Sequence, residues 1–257
     1  MFNFFHKNKA PRPIFEALEA DIHCHLLPCV DDGSSSFEET FACLDMMKAA
    51  GFSKAVCTPH FQYPRYPNDE DDIRKRFSVL KDAVARQEDY NGVELIGIAG
   101  EYRVDAIFDQ RVANPRFLRI IDHYVLTEFS LHQQVMGLEE KFFNLQMKGY
   151  DIILAHPERY PYLNPSSKLL ERFKEMGVMF QVNILSLTGF YGESCRRKAY
   201  ELLERRWVEL LGTDMHNNVY AHALLDATHD RKIEKVLNSN TFLNKDVAAG
   251  VIKHNKL

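Results

Sequence analysis

Histidine and acidic residues stand near the carboxyl ends of successive strand-like segments in this chain of 257 residues. Imidazole and carboxylate groups bind divalent metal ions, and a metal site needs ligands that are distant in sequence to meet in space. A parallel barrel directs the carboxyl end of every strand to one rim. The placement therefore predicts a metal centre at that rim, with the candidate ligands His23, His25, Asp32, His60, Glu101, Glu128, His156, Asp214 and His216.

Two pairs of these candidates have the spacing that places side chains on one face of a strand. His23 and His25 end one apolar segment, and Asp214 and His216 follow another. Each pair can therefore reach one ion. A lone His-x-His sequence also arises by coincidence or on a surface. Here the apolar segment before it and the Asp-Asp-Gly sequence after it favour a site.

Other candidates stand alone after strand-like segments. His60 follows Pro59, which is expected to end its strand, although a polar loop histidine is the alternative interpretation. Glu101 follows Gly100, whose missing side chain permits close approach at a crowded centre. Glu128 ends an apolar run, so its carboxylate must be paired, metal-bound or exposed.

The ligand types indicate what such a centre would bind. Five imidazoles and four carboxylates without a thiolate suit manganese, iron, zinc or magnesium. Three divalent ions would outweigh the four carboxylates, so the centre would attract an anion such as phosphate. Closely spaced ions lower the pKa of a bound water to about 7, and the resulting hydroxide could attack phosphorus. Arg159, shortly after His156, could hold a phosphate oxygen, with a surface salt bridge to Glu158 as the alternative.

The positioning of these residues requires a fold in which strands alternate with helices. Short apolar segments, typical of strands buried on both faces, lie at residues 20–26, 55–58, 93–99, 123–128, 151–155, 178–182 and 208–211. Amphipathic segments between them predict helices. These units predict one α/β domain over residues 1–257, a (βα)7 barrel with residues 1–19 as an N-terminal extension. An open doubly wound sheet is the alternative, but no glycine-rich nucleotide loop follows any strand.

Composition restricts the partners and the location of the protein. A net charge of −4 argues weakly against nucleic acid as a partner. No apolar run is long enough to span a bilayer, and residues 1–9 hold too short an apolar cluster for a secretory signal. The odd number of cysteines, five, favours reduced thiols in the cytoplasm. We therefore predict a soluble cytoplasmic protein without membrane insertion, whose oligomeric state the sequence leaves open.

The chain resembles the polymerase and histidinol phosphatase (PHP) superfamily. The resemblance rests on the segment DIHCHLLPCVDDG and on TPH, GEYR, LTEF, AHPERY and TDMH, which follow in that order between residues 21 and 216. Within the superfamily, the chain is similar to the bacterial metal-dependent tyrosine phosphatases linked to capsular polysaccharide production. Relatives that act on histidinol phosphate tend to have histidine where this chain has Asp32 and Glu128, which favours the tyrosine phosphatase branch.

The resemblance implies a distorted, TIM-like (βα)7 barrel, the PHP fold, with three divalent metal ions, usually manganese. The first ion would be held by His23, His25, Glu101 and Asp214; the second by Glu101, Glu128 and His156; the third by Asp32, His60 and His216. Asp32 and His60 would join Arg159 as catalytic residues. The implied reaction is hydrolysis of phosphotyrosine on a protein, with the tail of a bacterial tyrosine autokinase in capsule or exopolysaccharide synthesis as substrate.

One departure from the family pattern concerns phosphate binding. Related phosphatases often carry an arginine shortly after the final Asp-x-His, but residues 217–222 read NNVYAH here. A second phosphate-binding arginine is therefore absent, or His222 replaces it.

Several other functions remain open at the level of sequence. They are a phosphatase of small metabolites such as histidinol phosphate, a metal-dependent amidohydrolase, and a non-catalytic barrel that binds phosphoproteins. The absence of lysine at the strand ends disfavours the amidohydrolase. A cysteine-based phosphatase is excluded, because no cysteine is followed by arginine six positions later.

Overall fold

Parallel strands that alternate with helices form the frame of the protein. The computed structural model describes residues 10–88 and 90–252. Its strands are β1 (Ala20–Cys24), β2 (Lys54–Cys57), β3 (His60–Phe61), β4 (Glu94–Ile98), β5 (Glu101–Arg103), β6 (Tyr124–Glu128), β7 (Asp151–Ala155), β8 (Met179–Asn183) and β9 (Leu210–Gly212).

Helices follow most of these strands. They are α1 (Phe37–Ala50), α2 (Glu70–Ala85), α3 (Phe108–Ala113), α4 (Leu138–Met147), α5 (Lys168–Glu175), α6 (Ile184–Thr188), α7 (Glu193–Glu204), α8 (Asn218–Ala227), α9 (Arg231–Ser239) and α10 (Asn244–Ala248). Short 3-10 helices lie at Ile14–Ala17 and Pro157–Arg159.

The strands lie in two parallel sheets, in the orders β1-β2-β4 and β3-β5-β6-β7-β8-β9. A further short strand follows two of the predicted strands, because β3 follows β2 beyond Pro59 and β5 follows β4 beyond Gly100, and both of these short strands lie in the second sheet. β2 ends at Cys57, two residues before Pro59, as predicted, but the chain re-enters a sheet at His60, the first residue of β3. The Pro59 carbonyl accepts a hydrogen bond from the Glu101 N–H at 3.0 Å, so pairing with the neighbouring segment continues past the proline.

Backbone hydrogen bonds also connect the last strand to the first. The Asp214 N–H donates to the His23 carbonyl at 2.8 Å, and the His25 N–H donates to the Met215 carbonyl at 2.7 Å. Cys24 and Met215 form a parallel bridge. Among the described residues, the two sheets and these bonds together arrange seven strand units in a ring, two of them interrupted, which agrees with the predicted distorted α/β barrel.

Two clusters of buried apolar side chains support this ring. The larger cluster joins the strands to the surrounding helices. The smaller cluster joins strand side chains to Val247 of α10. The side-chain amide of Asn244, also in α10, donates to the carbonyls of Ala20 and Leu211 at 2.9 and 2.7 Å. These bonds fasten α10 to β1 and β9, the two strands that close the ring.

The N-terminal part of the described chain is folded against the barrel. Phe15 is buried, and its ring stacks on Phe52 with the centroids 5.3 Å apart. The predicted extension of residues 1–19 thus has a packed part, whereas the interpretation of residues 1–9 lies outside the described residues. The single-domain organisation stays a prediction. Within the described ranges, no helix is long and apolar enough to cross a membrane.

Candidate metal centre

All nine predicted ligands meet at the carboxyl ends of the strands. Six stand at or shortly after the carboxyl ends of β1, β6, β7 and β9. Two more, His60 and Glu101, open β3 and β5 just beyond the carboxyl ends of β2 and β4, and Asp32 lies in the loop between β1 and α1. Each has a ring nitrogen or carboxylate oxygen within 3.6 Å of another member of the set. The structure thus brings together side chains that span nearly two hundred positions of the chain.

Glu101 lies at the middle of the cluster and is fully buried. Its Oε2 atom is 3.3 Å from Nε2 of both His23 and His25, and 3.0 Å from Nδ1 of His60. Its other oxygen, Oε1, is 3.0 Å from Nε2 of His156. One carboxylate therefore faces imidazoles on two sides, as a ligand shared between two ions would.

Asp214 faces the same histidine pair from the last strand. Its Oδ1 is 3.5 Å from Nε2 of His23 and 3.4 Å from Nε2 of His25. Four donor atoms thus converge, from the residues predicted to hold the first ion.

His60 stands between two parts of the cluster. Its Nδ1 is 3.0 Å from Glu101 and 3.5 Å from Glu128, while its Nε2 is 3.4 Å from Asp32. Asp32 is also 3.8 Å from Nε2 of His216. The predicted third group of Asp32, His60 and His216 is thus assembled, but His60 also reaches the predicted second group. The division of the nine ligands among three ions stays a prediction.

Several buried polar atoms at the centre lack the partners that burial normally demands. Nδ1 of His60, Oε2 of Glu101 and Oε1 of Glu128 are buried and have no hydrogen-bond partner among the described residues. Nε2 of His23 lies 3.2 Å from Nε2 of His25, and both nitrogens lie 3.3 Å from the same oxygen of Glu101. A buried unsatisfied polar group costs about 1–3 kcal/mol. A cation among these atoms would satisfy them all, so the residues fit a metal centre, and the nitrogen and oxygen donor set suits divalent ions.

Burial and close contact shift the pKa values of the centre in opposite directions. Burial opposes protonation of His23, but the surrounding carboxylates, Glu101 first, outweigh it and raise its pKa to about 9. Burial raises the pKa of Glu128 to about 7, with repulsion from Glu101 as the next cause. Burial and the neighbouring His25 lower the pKa of His216 to about 4. Perturbed values of both signs in one place are typical of functional sites.

Residues behind the ligands fix the orientation of the imidazoles, and the sequence analysis missed them. Nδ1 of His23 donates to Oε1 of Gln181 at 2.8 Å, and Nδ1 of His25 donates to Oδ2 of Asp31 at 2.8 Å. These bonds place the proton on Nδ1 and leave Nε2 free for an ion. Asp31 stands in the same Asp-Asp-Gly sequence as Asp32. The sequence therefore placed Asp31 near the site but did not show that its side chain faces a histidine ligand.

Strand β8 supplies a second part of this support. The Asn183 side chain donates to Oδ2 of Asp214 at 2.7 Å, and Gln181 donates to Asn183 at 2.9 Å. Gln181 and Asn183 are two residues apart on β8, and no ligand was predicted at the end of this strand. That polar spacing at a strand end was the signal that could have revealed them.

The backbone at two ligands is held in an unfavourable conformation. His156 has a φ of 34° and Asp214 a φ of 53°, in the left-handed region that non-glycine residues rarely adopt. Strain of this kind, about 1–3 kcal/mol for each residue, occurs where the surrounding structure enforces it, often at functional sites.

A cavity of about 330 Å³ opens beside the ligands. Its walls carry Asp32, His60, Glu128, His156, Asp214 and His216, together with Arg65, Arg103, Arg159, Gln62, Leu131, His132, Asn217 and Tyr220. A larger groove of about 1030 Å³ lies between α7 and α9, but none of the nine ligands lines it. The smaller cavity is therefore the candidate substrate site.

The two candidate phosphate-binding residues, Arg159 and His222, differ in whether they line the cavity. Arg159 lines the cavity, and its Nη1 donates to Oδ2 of Asp214 at 2.7 Å. The alternative pairing with Glu158 is wrong, because that carboxylate is buried and accepts from the Asn183 N–H and the Ser186 hydroxyl. His222 is exposed and does not line the cavity, so it does not replace a second arginine.

The fold and the site together define a class of α/β barrel with a histidine- and carboxylate-lined centre, able to hold metal ions, at the carboxyl ends of its strands. Within that class, the chain belongs to the CpsB/CapC family of capsular polysaccharide synthesis, whose profile matches residues 19–243. The resemblance inferred from the sequence is thereby confirmed.

Known proteins of similar sequence carry a consistent name. The chain is 29% identical over 202 residues to the tyrosine-protein phosphatase YwqE of Bacillus subtilis, which covers 77% of each chain. It is 30% identical over 203 residues to the tyrosine-protein phosphatase CpsB of Streptococcus pneumoniae, covering 77% of this chain and 82% of the relative.

Solved structures agree with the sequence comparison. A chain from the crystal structures of YwqE from Bacillus subtilis and CpsB from Streptococcus pneumoniae, described as unique metal-dependent tyrosine phosphatases, matches with a TM-score of 0.73 and 25% identity. The match covers 91% of this chain and 96% of that one. The lactonase Lmo2620 of Listeria monocytogenes matches with a TM-score of 0.57 and 10% identity over 96% of this chain and all of that one, which shows a shared fold alone.

Proposed function

We propose that the protein is a metal-dependent phosphatase that hydrolyses phosphotyrosine on a protein. The observation that carries the proposal is the convergence of nine imidazole and carboxylate side chains around Glu101, beside a cavity lined by arginines. The matches with this chain cover most of the length of relatives that are named tyrosine-protein phosphatase. These names support the same reaction.

The nine ligands would hold three divalent ions, with Glu101 shared between two of them. When bound, such ions supply an activated water near neutral pH and draw charge from phosphate oxygens. Manganese is the first ion to test. Iron, zinc and magnesium follow, since nitrogen and oxygen ligands without sulfur accept all of them.

Arg159 would bind the phosphoryl group of the substrate. Its guanidinium rests over the ring of Tyr191, 4.3 Å from the centroid, and donates to Asp214. These two contacts fix its direction and leave other N–H donors for the cavity. A cation that is already in place stabilises the charge on phosphate oxygens without reorganisation during the reaction.

Asp32 and His60 would act on the water and the leaving group. Both line the cavity, and Oδ1 of Asp32 is 3.4 Å from Nε2 of His60. Tyrosine has a pKa of about 10, so its oxygen leaves as a phenolate with modest assistance. A hydrogen bond from His60 to the phenolate oxygen would then suffice to assist the leaving group. Asp32 would hold the attacking water.

The surroundings of the cavity suit a phosphotyrosine that is part of a polypeptide chain. Tyr220 lines the cavity, and its ring centroid lies 5.1 Å from that of Phe190. The side chains of Phe190 and Val219 are 40% and 65% exposed, so apolar surface lies next to the entrance. We infer that this surface contacts residues that flank the phosphotyrosine, in a cytoplasmic partner such as a tyrosine autokinase.

A comparison of two substrates tests the proposal. A phosphotyrosine peptide and histidinol phosphate are assayed side by side after chelation and after restoration of manganese. We expect metal-dependent turnover of the peptide and a much slower reaction of histidinol phosphate. The reverse preference would support the small-metabolite phosphatase. Binding of the peptide without turnover, with metal present, would support a non-catalytic barrel.

Two variants separate metal binding from phosphate binding. His156→Ala is expected to lose metal and activity together. Arg159→Ala is expected to keep its metal and lose about 100- to 1000-fold in kcat, the usual cost of one transition-state donor. Arg172→Ala, at an exposed ion pair with Glu175, serves as the control and should behave as wild type. Unchanged turnover in Arg159→Ala would contradict its proposed role.

A further inference from the structure

Arg103, the last residue of the GEYR segment, is a second cation of the cavity, and neither the sequence analysis nor the family comparison assigned a role to it. It ends β5, two residues after Glu101, so both side chains leave the strand on the same face. In the neighbouring strand its backbone partner is Glu128. Its Nε lies 3.3 Å from Oε1 of Glu128, and its side chain is 17% exposed and lines the cavity.

The hydrogen-bonding capacity of this guanidinium is largely unused. Within residues 10–88 and 90–252, its Nε is buried without a hydrogen-bond partner, and its Nη2 makes a long contact of 3.5 Å to the Phe129 carbonyl. A guanidinium carries five N–H donors and is seldom buried unless these are satisfied. The unused donors adjoin a cavity, so a ligand with several acceptor oxygens can satisfy them.

The other cations of the region are less suited to this task. Arg65 also lines the cavity, but its side chain is 63% exposed, 3.8 Å from Asp32 and 4.9 Å above the ring of Tyr66. An exposed cation gains little from an ion pair in water. His222 lies on the exposed surface away from the cavity.

We propose that Arg103 is the second phosphate-binding residue of the site, and that with Arg159 it binds non-bridging oxygens of the phosphate monoester. Arg103 and Arg159 are arranged alike: each guanidinium contacts one proposed metal ligand, Glu128 or Asp214, and lines the same cavity. Ions bound to those carboxylates would draw away their negative charge and leave both cations to face an anion. This inference rests on the proposed phosphatase function.

The test measures binding of inorganic phosphate, the expected product, to metal-loaded protein by titration calorimetry. The variants are Arg103→Met and Arg103→Lys, and metal content is determined on each sample. A charge-assisted hydrogen bond contributes about 1.5–3 kcal/mol, so Arg103→Met should weaken phosphate binding by about 10- to 100-fold with its metal retained. Arg103→Lys should recover part of the loss, because lysine restores the charge but not the planar fork.

Arg111→Met is the matched control for this series. Arg111 has a side chain that is 15% exposed and lies 3.3 Å from a carboxylate oxygen of Glu70, but it does not line the cavity. Its variant should bind phosphate as the wild type does.

Two results would overturn the inference. One is unchanged phosphate affinity in Arg103→Met. The other is a variant that loses metal and regains full phosphate affinity when excess metal is added. In that case Arg103 would only position Glu128. Wild-type turnover of a phosphotyrosine peptide is measured first, so that failure of the proposed function is recognised separately.

Discussion

Asp31→Asn is a sharp test of whether the histidines are oriented from behind for metal binding. Oδ2 of Asp31 accepts from Nδ1 of His25 at 2.8 Å and from the His60 N–H at 2.9 Å, while Oδ1 accepts from the Gly33 N–H at 2.9 Å. Asparagine keeps the shape but has only one acceptor oxygen. Asparagine must therefore lose either the bond from Gly33 or both bonds from the histidines. In either case its side-chain NH2 group faces an N–H donor in place of an acceptor.

The magnitude of the effect follows from these contacts. Burial opposes ionisation of Asp31, but His25 and His60 outweigh it and lower its pKa to about 2. A lowering of this size corresponds to roughly 2–3 kcal/mol of unfolding free energy in the metal-free protein. Loss of an outer partner of a metal-bound histidine typically reduces metal affinity by about 10- to 100-fold.

Metal affinity is measured by titration with manganese after chelation, and stability by urea unfolding of the metal-free protein. Because the folded pKa of Asp31 is lowered, its stabilisation is present above the unfolded pKa and is lost as the pH falls. The stability gap between wild type and Asp31→Asn should thus shrink between about pH 4 and pH 2. Asp109→Asn, at a side chain that is 63% exposed, is the control and should change neither quantity. Wild-type manganese affinity in Asp31→Asn would refute the reasoning.

Two further predictions address the packing and the charge of the centre. A Cβ atom at Gly33 would lie 2.1 Å from the His25 carbonyl oxygen, so Gly33→Ala should lower both Tm and metal content. Gly97→Ala, whose Cβ would lie 3.8 Å from its nearest neighbour, should change metal content little, and equal losses in both would contradict the steric argument. Because the pKa of His23 is raised to about 9 without metal, metal binding at pH 7 should release protons. Calorimetry in buffers of different ionisation enthalpy measures that release, and an enthalpy independent of the buffer would contradict it.

The residue types of the site could be predicted from the sequence because their signals are local. An apolar run followed by His156, or by Asp214 and His216, is visible without knowledge of the rest of the chain. The general rule that parallel strands point their carboxyl ends to one rim then brings such residues together. The structure brings all nine predicted ligands together, as this rule expects.

The errors and omissions concern contacts that depend on how strands align. The effect of Pro59 on strand pairing could not be predicted from the local sequence. Whether pairing resumes after the proline depends on whether the neighbouring strand needs its carbonyl as an acceptor. Gln181 and Asn183 show only a polar spacing of two residues at a strand end, and their role becomes clear only when β8 lies between β7 and β9.

The sequence by itself determined which chemistry is possible, since ligand type, charge and the order of strands and helices are properties of the chain. Only the tertiary structure decided which atoms face one another. The register of β5 against β6 places Arg103 beside Glu128 and the cavity, while the path after β9 leaves His222 exposed. Side-chain direction across the rim depends on register and on closure of the ring, and both arise from packing over the whole molecule.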